Sequence, residues 1–186
     1  MNFAAKFAAG LEYGAFLNRY GSDEHRRRWG AVHEAVRLSS QQRELLAGFV
    51  REMKVLCLAG AWCGDCVNQC PIFDHFAAAS PRIVMRYVDR DADAELAEGL
   101  KICGGSRVPV TVFLSEDDQP VGWYGDRTLS KYRQIAIEQL GSACPTGIAP
   151  PDRSLLDAVT QDWLNEFERV QLLLRTSPRL RKLHDD

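Results

Sequence analysis

The chain has 186 residues, 46% hydrophobic and 26% charged, with a formal net charge of -2. That length suits one domain of ordinary size with additions and a sizeable core, and the near-balance of charge argues against a nucleic-acid partner. No apolar run approaches the ~18 residues that a membrane helix needs, so no membrane partner is expected.

The opening MNFAAKFAAGLEYG carries one lysine and a short apolar stretch, then Glu12, with no small-residue cleavage site. It reads as a helix of the mature protein rather than a signal peptide. Residues 1–53 are predicted all-helical. Phe3, Phe7 and Leu11 share a spacing of four, and Phe16 and Leu17 extend the apolar surface. Gly21, Ser22 and Asp23 mark a break and an N-cap for a second helix with Trp29, Val32 and Val36. Ser39 or Ser40 caps a third, whose stripe is Leu45, Leu46, Phe49, Val50 and Met53. The Arg26–Arg28 run reads as a solvated helix face, because no aromatic interleaving accompanies it.

Lys54 to Pro71, KVLCLAGAWCGDCVNQCP, organises the rest. The apolar run Val55–Ala59 is a strand, and Val67, Cys70, Phe73 and Ala77 recur as one buried helix face does. Cys63 and Cys66 therefore lie where a strand hands over to a helix, with Cys63 at the helix N-terminal end. Unpaired N–H groups and the helix dipole favour an anion there, and the thiolate is the reactive form of cysteine. Cys66, one turn on, can close a disulfide with it.

Ser80 and Pro81 end this helix, and Ile83, Met85 and Tyr87 alternate as a strand that Asp89-Arg-Asp closes. A short helix over Ala92–Ile102, a Gly-Gly-Ser turn, a strand over Val108–Leu114, a polar turn and a hairpin partner over Val121–Tyr124 follow. Thr128 caps a helix through Ile135 and Leu140 that Gly141 stops. Residues 144–151 read as a linker. Asp152 caps a last helix with Leu155, Val159, Trp163, Phe167, Val170 and Leu174 on one side, and the tail TSPRLRKLHDD reads as loose.

Six cysteines in a chain this long do not make a disulfide scaffold. A Cys-x-x-Cys pair beside a βαβ pattern points instead to redox chemistry inside the cell, hence a cytoplasmic expectation. An iron–sulfur reading of Cys63, Cys66 and Cys70 lacks a further upstream cysteine, since Gly60 stands there. A zinc site would have to recruit Cys57, Cys103 or His75, and no metal is expected. Cys70 reads as a small core residue, with a third redox thiol as the alternative. Cys103 and Cys144 read as incidental. His25 and His33, eight apart, read as helix-surface residues.

Trp62-Cys63-Gly64-Asp65-Cys66 resembles the redox motif of the thioredoxin superfamily, with Asp65 in place of its proline. Pro71 resembles the family's helix-kinking proline, Val108-Pro109 its cis-proline dipeptide facing the cysteines, and Gly125 the glycine that completes the substrate groove. The resemblance covers residues 40–141, preceded by a helical extension over 1–39 and followed by a C-terminal helix and tail over 152–186. It implies an α/β fold, a thioredoxin-like mixed sheet flanked by helices. Nothing before Val55 reads as the usual first strand. It also implies thiol–disulfide oxidoreduction: Cys63 attacks and Cys66 resolves, with Trp62, Gly64, Val108, Pro109 and Gly125 around the substrate.

The implied partners are a disulfide-containing protein or small molecule and an electron-donating reductase or thiol, with no tightly bound cofactor. Where the family has a buried aspartate assisting the second thiol, this chain has Cys57. Asp65 is the expected substitute, opposing ionisation of Cys63 and accepting a proton from Cys66, as suits a reducing-type protein. The rivals are a disulfide isomerase, whose dipeptide usually carries a histidine, and a binding module whose terminal helices dock a partner.

Overall fold

The central strand, β1 (Met53–Ala59), is buried on both faces over most of its length, as its run of apolar residues requires. In the computed structural model, which describes residues 1–140 and 154–186, it lies inside a four-stranded mixed sheet of order β2-β1-β3-β4. β2 (Ile83–Asp89) runs parallel to β1, pairing Met53 with Ile83 through Ala59 with Asp89. A parallel pair needs a long crossover, and α5 (Gly64–Ala79) supplies it. β3 (Val110–Ser115) is antiparallel to β1, and β4 (Pro120–Gly125) returns as its hairpin partner.

Helices α1 (Phe3–Ala9), α2 (Tyr13–Tyr20), α3 (Asp23–Ala35) and α4 (Ser40–Ala47) precede the sheet; α6 (Ala94–Gly99), α7 (Leu129–Leu140), α8 (Leu155–Thr176) and α9 (Pro178–His184) complete the described chain. The architecture is α/β, a thioredoxin-like sheet flanked by helices.

Three expectations are corrected. The first helix is broken at Gly10, where the chain presses so close to β2 that a Cβ would lie 2.8 Å from that of Arg86. Leu11, expected on a helical stripe, instead pairs with Tyr87 through two backbone hydrogen bonds of 2.9 and 2.7 Å. This single antiparallel bridge, formed by the helical N-terminal region, lies on the outer edge of β2. In the third helix, Gly48 stops the chain after Ala47, so Met53 joins β1 rather than a helical stripe. The tail forms α9: Ser177 caps it, Pro178 occupies its first position, Leu180 is buried, and Arg179 pairs with Asp117. Ser22 caps its helix as expected and Ser39, rather than Ser40, caps the next, each in a reciprocal capping box.

α5 and α8 pack on the sheet face that carries Cys57, Tyr87, Phe113 and Tyr124. Phe167 meets Phe76 and Phe113 edge-on, each at 5.2 Å between ring centroids, and Trp163 meets Phe73 at 4.5 Å and Tyr124 at 4.9 Å. The apolar stripe of α8 is thus covered by the core of its own chain. Ser154 accepts the capping hydrogen bond at its start. Asp152, the Gly141 stop, the linker over 144–151 and Cys144 lie outside the described residues. Among the described residues no helix is long and apolar enough to cross a membrane.

Candidate active site

Cys63 is the N-cap residue of α5. The chain leaves β1 at Ala59, turns through Gly60 and Ala61, and enters the helix immediately after Cys63. Two contacts fix this turn. The buried Trp29 of α3 donates its indole N–H to the Ala61 carbonyl at 2.8 Å. The Trp62 ring lies against Gly60, where a Cβ would come within 2.8 Å of it, and Arg90 sits over the ring at 4.5 Å from its centroid. Trp62 remains 42% exposed beside the half-buried Cys63.

Cys66 is fully buried one turn further along, and its sulfur accepts a hydrogen bond from the Gly60 N–H at 3.4 Å. The pair favours one thiolate and disfavours two. The hydrogen bond to Cys66, with burial behind it, pushes Cys63 up. Burial also opposes charge on Cys66, yet hydrogen bonds from Cys63, Cys70 and Gly60 outweigh it and pull that thiol down. The charge therefore belongs to the pair rather than to either sulfur, and Cys63 is the sulfur that solvent reaches.

The Val108–Pro109 peptide is cis, as the resemblance implies, and Val108 brings its carbonyl to 3.5 Å from the Cys63 sulfur. Gly125 backs this loop from β4. A Cβ there would lie 2.5 Å from the Pro109 carbonyl oxygen and 3.0 Å from the Val110 Cα, both backbone atoms that cannot step aside. Gly64 opens α5. Of the five residues expected around a substrate, Trp62 and Gly64 flank Cys63 in the chain, Val108 reaches its sulfur, and Gly125 backs the Pro109 loop.

Asp65 is placed differently from expectation. Both contacts from Arg127 go to its Oδ2, at 2.8 Å from Nε and 2.7 Å from Nη2. Arg127 offsets part of its charge, and the remainder opposes ionisation of the neighbouring Cys66. Next to Arg127, the buried Asp126 accepts from the Tyr132 hydroxyl and pairs with Arg107 at 3.2 Å. Burial opposes that charge, but Tyr132 and Arg107 hold the carboxyl below the usual range.

Sequence reading also missed Gln69. It is buried on α5, donates to the carbonyls of Asp126 (3.0 Å) and Asp65 (3.2 Å), and accepts from the Trp163 indole N–H at 2.8 Å. It joins α8 to the first turn of the active-site helix. The one available signal was a polar residue one turn from Cys66, on the helix face that also carries Cys70 and Phe73.

Cys57 and Cys70 are fully buried behind Cys66, with their sulfurs 4.0 Å apart. Cys103 is exposed on the turn before the proline loop, at φ 50. Among the described residues no group of three or more His, Cys, Asp and Glu side chains is arranged to hold a metal ion. His25 belongs to the α3 capping box, and His33 contacts Asp74 at 2.9 Å.

A family model described as Thioredoxin matches residues 10–136, a span that begins inside the N-terminal helices. Over 102 residues, 53% of this chain, the sequence is 29% identical to protein disulfide-isomerase erp38 of Neurospora crassa; the matched stretch is 28% of that relative's length. A crystal structure of a protein of unknown function from Pseudomonas aeruginosa superposes with a TM-score of 0.68 and 19% identity, over 91% of this chain and 98% of the other. An HIV epitope scaffold superposes at 0.61, also with 19% identity, over 92% and 93%. At those identities the two structures speak to the fold alone.

Proposed function

The chain belongs to the thioredoxin family, and from that premise we propose that it is a thiol–disulfide oxidoreductase of the reducing type, acting on protein or small-molecule disulfides. The observation that carries this reading is the half-buried Cys63 at the start of α5, beside a buried Cys66 and under the Val108 carbonyl. Cys63, as thiolate, attacks one sulfur of a substrate disulfide. The S–S bond breaks, one half leaves as thiolate, and a Cys63–substrate disulfide forms. Cys66 then attacks the Cys63 sulfur, the Cys63–Cys66 bond forms, and the second half of the substrate leaves. Two electrons have passed to the substrate, and a reductase dithiol or a low-molecular-weight thiol returns them.

Trp62, Gly64, Val108, Pro109 and Gly125 form the walls against which the substrate lies. Asp65 takes the proton of Cys66 through Oδ1, since Arg127 engages Oδ2. The Gly64-Asp65 dipeptide brings no histidine, and Arg127 is committed to Asp65, so no neighbouring cation adds to the stabilisation that the pair's own hydrogen bonds give its single thiolate. Stabilisation of the reduced form is what makes an oxidant. The expected potential therefore lies nearer the ~-270 mV typical of reducing proteins of this fold than the ~-120 mV of a strong oxidant.

Cys66→Ser tests the mechanism by halting it at the mixed disulfide. Incubation with a disulfide-bonded test protein should give an adduct at Cys63 that dithiothreitol releases. An adduct at Cys103 instead, or none, contradicts the assignment. Disulfide isomerisation is the second reading, supported by the name of the matched relative; it predicts re-pairing of a scrambled substrate without net reduction.

A further inference from the structure

The mechanism above uses Cys63 and Cys66 and leaves two other buried thiols unused. Cys57 lies in the middle of β1 and Cys70 in the second turn of α5, each with no solvent exposure, their sulfurs 4.0 Å apart. Cys70 stands one turn beyond Cys66 on α5, near enough that each thiol influences the ionisation of the other. The four sulfurs therefore run inward in the order Cys63, Cys66, Cys70, Cys57, from the surface to the centre of the sheet. Two isolated core cysteines need no such alignment; either can be replaced by any small apolar residue.

We propose that Cys57 and Cys70 are a second, internal redox pair that exchanges with the Cys63–Cys66 disulfide, so that one chain can deliver four electrons rather than two. This rests on the reading that Cys63 and Cys66 form a disulfide in turnover. The Cys70 thiolate attacks the Cys66 sulfur; the Cys66–Cys70 bond forms, the Cys63–Cys66 bond breaks, and Cys63 leaves as thiolate. The Cys57 thiolate then attacks the Cys70 sulfur; the Cys57–Cys70 bond forms, the Cys66–Cys70 bond breaks, and Cys66 leaves as thiolate. The protons given up by Cys70 and Cys57 pass to Cys63 and Cys66. The net change is one disulfide moved inward and one dithiol restored at the surface, with substrate disulfide the only oxidant consumed.

Geometry permits each step. Residues four apart on a helix bring their Cα atoms within the 4.4–6.8 Å range of disulfides. The Cys57 and Cys70 sulfurs, 4.0 Å apart, have to approach to the ~2.05 Å of a disulfide bond. Burial pushes both inner thiols up, which keeps their thiolates scarce and makes the inward step the slow one.

The test counts free thiols on tryptic peptide 55–82, which contains Cys57, Cys63, Cys66 and Cys70. Reduced, reductant-free full-length protein is mixed with excess glutathione disulfide, quenched in acid at intervals, unfolded and alkylated with N-ethylmaleimide. The alkylated count should fall from four to two quickly, with Cys63 and Cys66 protected, and then from two to none in a slower phase. Cys70→Ala should lose only Cys63 and Cys66, keeping Cys57 alkylated. Cys63→Ser, altered only at the exposed end, should keep Cys57 and Cys70 alkylated.

A wild-type count that stops at two, with Cys57 and Cys70 labelled, overturns this inference while leaving the Cys63–Cys66 reaction intact. Oxidation of Cys57 and Cys70 in Cys63→Ser overturns the route through the surface pair. Protection of neither Cys63 nor Cys66 in the wild type overturns both this inference and the function on which it rests.

Discussion

Deletion of residues 152–186 should leave a chain without a cooperative fold. On α8, Trp163, Leu164, Phe167, Val170 and Leu174 are 0–1% exposed. Burial of a large apolar side chain contributes about 1.5–3 kcal/mol, so these side chains together contribute about 8–15 kcal/mol, an upper estimate because unfolded chains are themselves partly compact. Loss of the Trp163 indole N–H also orphans the buried Gln69 oxygen, a further ~1–3 kcal/mol. The whole net stability of a domain is about 5–15 kcal/mol.

The truncated chain should therefore show no thermal transition by circular dichroism, should bind a hydrophobic dye, and should associate on gel filtration. Trp163→Phe provides the graded version. It removes chiefly the Gln69 hydrogen bond, ~1–3 kcal/mol, and should lower Tm by roughly 2–12 °C in a chain of this size. A truncated protein that is monomeric and melts at the parental temperature refutes the placement of α8 in the core and favours a partner-docking helix.

Three other perturbations probe the active site and its surroundings. Gly125→Ala sets a Cβ against the Pro109 carbonyl; stability should fall by on the order of 1–3 kcal/mol, with KM for a disulfide substrate raised, as urea titration and steady-state assays would show. Arg127→Gln uncovers the Asp65 carboxylate beside the thiol pair, and the pH profile of alkylation should move to the alkaline side by on the order of one unit, whereas Asp65→Asn should move it to the acid side. Asp126 is held below its ordinary value when folded, so it stabilises the fold above the unfolded carboxyl value of ~3.9, and that contribution is lost as pH falls through the folded value. Asp126→Asn should accordingly flatten the acid limb of a urea-stability profile measured below about pH 4.

The strand–turn–helix around Cys63 was legible because its signals are local: an apolar run, a turn, then helical spacing. Val108-Pro109 and Gly125 were legible through the resemblance to the thioredoxin superfamily. What escaped were pairings made across the fold. Leu11 satisfies the Phe3–Phe7–Leu11 period in sequence, yet Tyr87 on β2 offers its backbone and Gly10 lets the chain approach. Asp65 was read from its neighbour Cys66, whereas its partner Arg127 lies 62 residues away. Gln69 looks misplaced on an apolar face until Trp163, 94 residues on, is set against it. The tail carried a Ser177-Pro178 helix start, but its hold on the body depends on the burial of Leu180 and the pairing of Arg179 with Asp117.

The central claim is that Cys63 is the attacking sulfur and Cys66 the resolving one. Pulse alkylation of the fully reduced wild-type protein at a series of pH values, read cysteine by cysteine by mass spectrometry, tests it most directly. The account predicts that within the Cys63–Cys66 pair only Cys63 is modified in the short pulse, while Cys57 and Cys70 react only after unfolding. Labelling of Cys66 or Cys70 as fast as Cys63 contradicts it.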